Sequence, residues 1–177
     1  LYAYLAQGKP VTLPVPMLNV INGGRHAANS ADFQEFMVVP AGFDSFSRAL
    51  QAGVEVYHAL QNILGARNLS TLVGDEGGFA PSLATNEAPI EILIEAIEKA
   101  GYIPGEHIFL AMDVAASEFA TENGDYCLAR ENRTLTADEL IDLYEQWLAR
   151  YPAIVSIEDG LTETDWTGWV KMTDRIG

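Results

Sequence analysis

Apolar positions along the chain change period several times, and each change marks an element. Leu1 to Ala6 has the look of a helix end, closed by the turn Gln7-Gly8-Lys9-Pro10. Next comes LPVPMLNVINGG, apolar and β-branched but broken by Pro14 and Pro16, which cannot donate to a sheet ladder. Pairing is therefore predicted from Met17 to Ile21, ended by Asn22-Gly23-Gly24, with a polar loop over residues 25–32. A second short strand is predicted at Glu35 to Val39, closed by Pro40-Ala41-Gly42.

Four helical periods follow. Phe46, Leu50, Val54, Tyr57, Leu60 and Leu64 recur at three or four positions between Ser45 and Leu64, and Gly65 can supply a left-handed cap. Ile90, Leu93, Ile94 and Ile97 repeat the pattern from about Asn86 to Ala100, ended by Gly101. Thr136-Ala137-Asp138-Glu139 reads as a capping box before Leu140, Leu143, Tyr144, Trp147 and Leu148. A last helix is expected from Asp165 to Ile176.

Two apolar runs, 108–112 and 153–157, are too short for helices and do not alternate. Such runs suit strands buried on both faces of a parallel sheet. Strand 108–112, helix 137–150 and strand 153–157 then form a βαβ unit. Residues 117–130, with Asn123-Gly124-Asp125, read as a hairpin-like excursion inside it. The fold class is α/β with a parallel sheet, barrel or doubly wound.

Composition narrows the function classes. Of 177 residues, 49% are hydrophobic, which excludes intrinsic disorder, and the length suits one domain. The formal charge of −15 argues against nucleic acid or an anionic membrane surface as partner. Cys127 alone permits no internal disulfide, and no apolar run approaches the roughly 20 residues of a membrane span. The first residue is Leu1 rather than Met, as expected of a processed chain or one cut from something longer.

Candidate chemistry gathers at strand ends. Asp113 follows the run ending at Met112, and Glu158-Asp159 follows Ile157. Strands neighbouring in a βαβ unit would bring these ends to about 5 Å, or about 10 Å with one strand between them. Two such carboxylates suit Mg²⁺, a hard cation that takes oxygen ligands; they equally suit helix caps or solvated loop ends. Gly74-Asp75-Glu76-Gly77-Gly78 is either a surface turn or a bend that carries a carboxyl into a confined space, where its pKa would rise. His26 lies in a polar, glycine-rich loop and leans toward function, whereas His58 and His107 read as structural. Gln34-Glu35 enters a strand between Phe33 and Phe36, a pattern that is weak alone.

Five segments together resemble the enolase family (phosphopyruvate hydratase) of the bacterial type: VPMLNVINGGRHA, QEFMVVPAG, VGDEGGFAP, LAMDVAASEF and VSIEDGLTETDW, in the family's order and spacing. The resemblance implies a partial TIM-like (β/α)8 barrel, beginning ββαα and continuing in βα units. Residues 1–10 would be the end of an N-terminal domain and a connector, and 11–177 the first part of the catalytic barrel. It implies dehydration of 2-phosphoglycerate to phosphoenolpyruvate through an enediolate stabilised by Mg²⁺. Asp113 and Glu158 match two of three metal carboxylates, Glu76 the general acid, and His26, Gln34 and Glu35 residues around the substrate. Arg25 departs from the pattern, which commonly has a small residue such as Ser there. By the same resemblance the parent would be a cytoplasmic homodimer or higher homo-oligomer, with a cell-surface pool conceivable. None of Lys9, Lys99 and Lys171 falls at the end of a barrel strand, where the base is expected. The isolated chain is therefore expected to be inactive, a section through a barrel. The alternative is a non-catalytic binding or adhesive module derived from the same family. A different metal-dependent lyase of the superfamily fits the parent less well, because its K-x-K pair at an early strand is lacking.

Overall fold

A computed structural model describes residues 1–27, 29–74 and 76–177, and of His26 the backbone only. Among the described residues the element order is α1 (Tyr2–Ala6), β1 (Leu18–Asn22), β2 (Glu35–Val39), α2 (Phe46–Ala66), α3 (Ala88–Lys99) and β3 (Phe109–Asp113). It continues with β4 (Tyr126–Leu128), β5 (Arg133–Leu135), α4 (Ala137–Arg150), β6 (Ile154–Glu158) and α5 (Trp166–Ile176). No helix among them is long and apolar enough to cross a membrane.

The main sheet has the order β1-β2-β3-β6 and does not close. Its first two pairings are antiparallel and only β3–β6 is parallel, so the sheet is mixed rather than parallel throughout. β1 and β2 are joined without a crossover helix, and between β2 and β3 the chain passes through two helices, α2 and α3, before returning antiparallel to β2. From β3 onward α4 provides the crossover that returns β6 parallel to it. The result is a sheet beginning ββαα, as a partial barrel would. On its open side Val155 of β6 stays 56% exposed.

Strand boundaries fall one residue later than the apolar runs suggest. Asp113 and Glu158 are thus the last residues of β3 and β6, not loop residues beyond them. Helix α2 also differs from expectation. Its buried face is Ala49, Ala52, Gly53, Val56, Leu60, Ile63 and Leu64, while Leu50 and Val54 are exposed. Small residues let α2 approach β1 closely: a Cβ on Gly53 would lie 2.8 Å from the Leu18 side chain. Gly65 remains inside the helix, and Asn68 takes the left-handed turn instead (φ 55°). Gly101 does end α3 in that conformation (φ 87°).

The capping box at Thr136 forms in both directions. Glu139 N donates to Thr136 Oγ1 at 3.3 Å, and Thr136 N donates to the Glu139 carboxylate at 2.8 Å. The hairpin lies further along than predicted, pairing Tyr126–Leu128 with Arg133–Leu135 around the turn at residues 129–132. Asn123-Gly124-Asp125 forms a separate tight turn, closed by Gly124 N donating to Thr121 O. Beneath this excursion Phe33 is fully buried and meets the rings of Phe36, Phe119, Tyr144 and Trp147. Tyr144 reaches across to donate to the Gly160 carbonyl at 2.9 Å.

A candidate active site along one end of the sheet

Register places four polar side chains in one row. Asn22 of β1 is opposite Glu35 of β2, Glu35 is opposite Asp113 of β3, and Asp113 is opposite Glu158 of β6. Register partners in a sheet project from the same face, so the row forms a polar band across the end where β1, β3 and β6 finish. Each carboxylate strand ends in an unusual backbone turn. Ala115 (φ 48°), two residues past Asp113, and Asp159 (φ 47°), directly after Glu158, both adopt the left-handed conformation. For alanine this is uncommon, and it stops the strand from continuing. The turns are tied together, with Val114 N donating to Glu158 O at 3.0 Å and Ala116 N to Asp159 O at 2.9 Å.

Asp113 is half-buried and well held. One carboxylate oxygen accepts from Ala115 N at 3.1 Å, and the other accepts from Gln34 Nε2 at 3.4 Å. Gln34 and Asp113 are thus joined by a side-chain hydrogen bond. Glu35 lies between Asp113 and Glu76. Burial pushes its carboxyl up to about 8, helped by a hydrogen bond with Glu76 and by the negative charges of Glu76, Asp113 and Glu158. Of the two readings of the glycine-rich segment at residues 74–78, the exposed turn fits the placement of Glu76. Glu76 is exposed, and Glu35, which is half-buried, shares a hydrogen bond with it.

The loop carrying Glu76 is pinned at several points. Gly74 N donates to Gly78 O at 2.8 Å and Gly77 N to Gly74 O at 3.1 Å, with Gly77 at φ 84°. Tyr57 of α2 donates its hydroxyl to the Gly77 carbonyl at 2.9 Å and stacks on Phe79 at 4.4 Å. Phe79 in turn exchanges backbone hydrogen bonds with Val20 and Asn22 of β1. Asp75 lies outside the described residues, as does the side chain of His26, whose backbone sits in the 3-10 turn Gly24–His26.

Two features have no counterpart in the sequence reading. Asn19 and Asn22 of β1 face this site, and a register shift between Asn19 and Ile21 brings them onto the same side of the strand. Two polar amides in an apolar run were the available signal. A second network holds the surrounding loops: buried Asn86 donates to Asp32 at 2.9 Å and to Glu131 at 3.0 Å, and its carbonyl accepts from Asp32 N at 2.6 Å. Arg25 pairs with Glu118, joining the loop after β1 to the turn after β3.

The lysines do not join the row. Lys99 ends α3 and pairs with Glu95 at 2.8 Å, while Lys171 of α5 pairs with Asp138 of α4 at 2.7 Å. Lys9 is exposed in the turn after α1. His107 accepts from Ile103 N at 3.0 Å through Nδ1, a structural role, and His58 is exposed on α2.

Among the described residues no three His, Cys, Asp or Glu side chains are grouped closely enough to hold a metal ion. Even so, the donor set fits a hard divalent cation. Two carboxylates stand on adjacent strand ends, and the surrounding negative charge already raises the proton affinity of Glu35. A cation there would relieve that charge.

The open mixed sheet carries its carboxylates in a row across the ends of its strands, the edge at which α/β barrels place their sites. The chain belongs to the enolase family: the sequence model of the enolase C-terminal TIM barrel domain matches residues 10–177. The enolase of Wolinella succinogenes is 59% identical over all 177 residues, which span 42% of that relative's length.

Proposed function

We propose that this chain is the front of the catalytic barrel of a glycolytic enolase, a hydro-lyase that reversibly dehydrates 2-phosphoglycerate to phosphoenolpyruvate. Residues 1–10 close the preceding domain, and 11–177 open the barrel. The observation that carries the reading is the row Glu35, Asp113 and Glu158, with Glu76 hydrogen-bonded to Glu35. A simple binding module has no use for carboxylates forced so close together.

In this reading Asp113 and Glu158 contribute two ligands for Mg²⁺. When bound, the metal supplies positive charge where the substrate carboxylate gains negative charge. Gln34 orients Asp113. The Glu35–Glu76 pair holds a proton on the side of the departing hydroxyl, with Glu76 as the donor. A base from the rest of the barrel takes the proton from C2; the C3–O bond breaks, the C2=C3 bond forms, and the proton from Glu76 completes water. His26 and Gln34 border the phosphorylated substrate. A homo-oligomeric cytoplasmic enzyme completes the proposal.

The test is phosphoenolpyruvate formation from 2-phosphoglycerate and Mg²⁺. The full-length protein is expected to turn over and the 177-residue chain alone to be inert, because its three lysines lie away from the row. Turnover by the isolated chain would contradict the assignment of the base to the rest of the barrel.

A further inference from the structure

The polar face of β1 has no role in the chemistry above, yet it touches the acid. Asn19 Nδ2 donates to Glu76 Oε2 at 3.3 Å. Beside it Asn22 is fully buried, and neither atom of its side-chain amide has a hydrogen-bond partner among the described residues; nor does Asn19 Oδ1. Buried amides are ordinarily satisfied, as Asn86 is, so the unpaired amide of Asn22 is costly to the fold. The irregular register between Asn19 and Ile21 is what turns both amides toward the acid loop. Asn22 also sets how deep that loop sits, since a Cβ on Gly78 would come within 2.1 Å of its Oδ1.

We propose that Asn19 is a positioning residue for Glu76, fixing one carboxyl oxygen so that the other carries its proton to the leaving hydroxyl, with Asn22 packed against Gly78 beneath it. This rests on the dehydratase reading given above. The chemistry suits the contact: on giving up its proton Glu76 becomes a carboxylate, and a hydrogen bond from a neutral amide to a carboxylate is stronger than one to the protonated acid. The donor therefore favours the state reached after the hydroxyl leaves. It contributes nothing to removal of the C2 proton, which occurs on the other face.

That separation gives the experiment. In the full-length protein, Asn19→Ala and the isosteric Asn19→Asp are compared with the parent in two assays. One follows phosphoenolpyruvate formation; the other follows exchange of the C2 proton of 2-phosphoglycerate with deuterated solvent. Both variants are expected to lose about ten- to hundredfold in kcat for dehydration, the scale of one charged hydrogen bond, with little change in KM and with exchange retained. Unchanged dehydration in either folded variant overturns the proposal, and so does equal loss of exchange and dehydration, which marks a general structural defect. If the alanine variant does not fold, the aspartate variant, which keeps the shape, decides alone. A parent protein inert in both assays overturns the dehydratase reading itself, and this proposal with it.

Discussion

Asp113 and Glu158 stand directly opposite one another at the ends of two parallel strands, with no strand between them. Side chains on neighbouring strands at this register repel unless a cation or a proton intervenes. Beside them, burial and the negative charges of Glu76, Asp113 and Glu158 raise the proton affinity of Glu35. If the proposed cation binds there, its binding and the protonation of Glu35 would be coupled.

Asp113→Asn and Glu158→Gln are each expected to weaken Mg²⁺ binding by about tenfold or more, or ~1.4 kcal/mol, by removing one charged oxygen ligand. Titration calorimetry on the full-length protein checks this. Unaltered affinity in both variants would place the metal elsewhere.

The Glu35 carboxyl lies well above its ordinary value of 4.5, at about 8, chiefly through burial. An acid raised in this way binds more protons folded than unfolded between those two values. Its stabilising contribution is thus complete below pH 4.5 and is lost as pH rises toward about 8. Urea midpoints of the metal-free protein are expected to fall across that window, and Glu35→Gln to flatten the fall. An equal slope in the variant would assign the titration to another group.

Gly78 leaves no room for a side chain, because an added Cβ meets Asn22 Oδ1 at 2.1 Å. Gly78→Ala is expected to destabilise the protein by about 1–3 kcal/mol and to displace the acid loop. A lowered melting temperature together with reduced dehydration is the expected pair of results; a variant with unchanged melting would show that Asn22 moves aside freely.

Much of this was legible in the residues. The capping box at Thr136, the left-handed Gly101 and the strand-end position of Asp113 and Glu158 follow from local rules that depend on few neighbours. What escaped depends on contacts distant in sequence. The buried face of α2 includes Ala52 and Gly53, with Leu18 lying against Gly53, and no hydrophobic period reveals that. The raised proton affinity of Glu35 escaped because burial is decided by packing around β2, which the strand pattern beside Glu35 does not reveal. Asn19 and Asn22 face one way only because β1 is irregular between them, and the spacing of three residues alone predicts opposite faces.

The most direct measurement is steady-state phosphoenolpyruvate formation by the full-length protein and its Glu76→Gln variant, with Mg²⁺ binding followed in parallel. The account predicts Mg²⁺-dependent turnover in the parent, a loss of about 10²- to 10⁴-fold in the variant, and metal affinity largely kept. A parent without turnover, or a variant as active as the parent, would contradict it; equal loss of metal affinity would move Glu76 from the acid's place into the metal site.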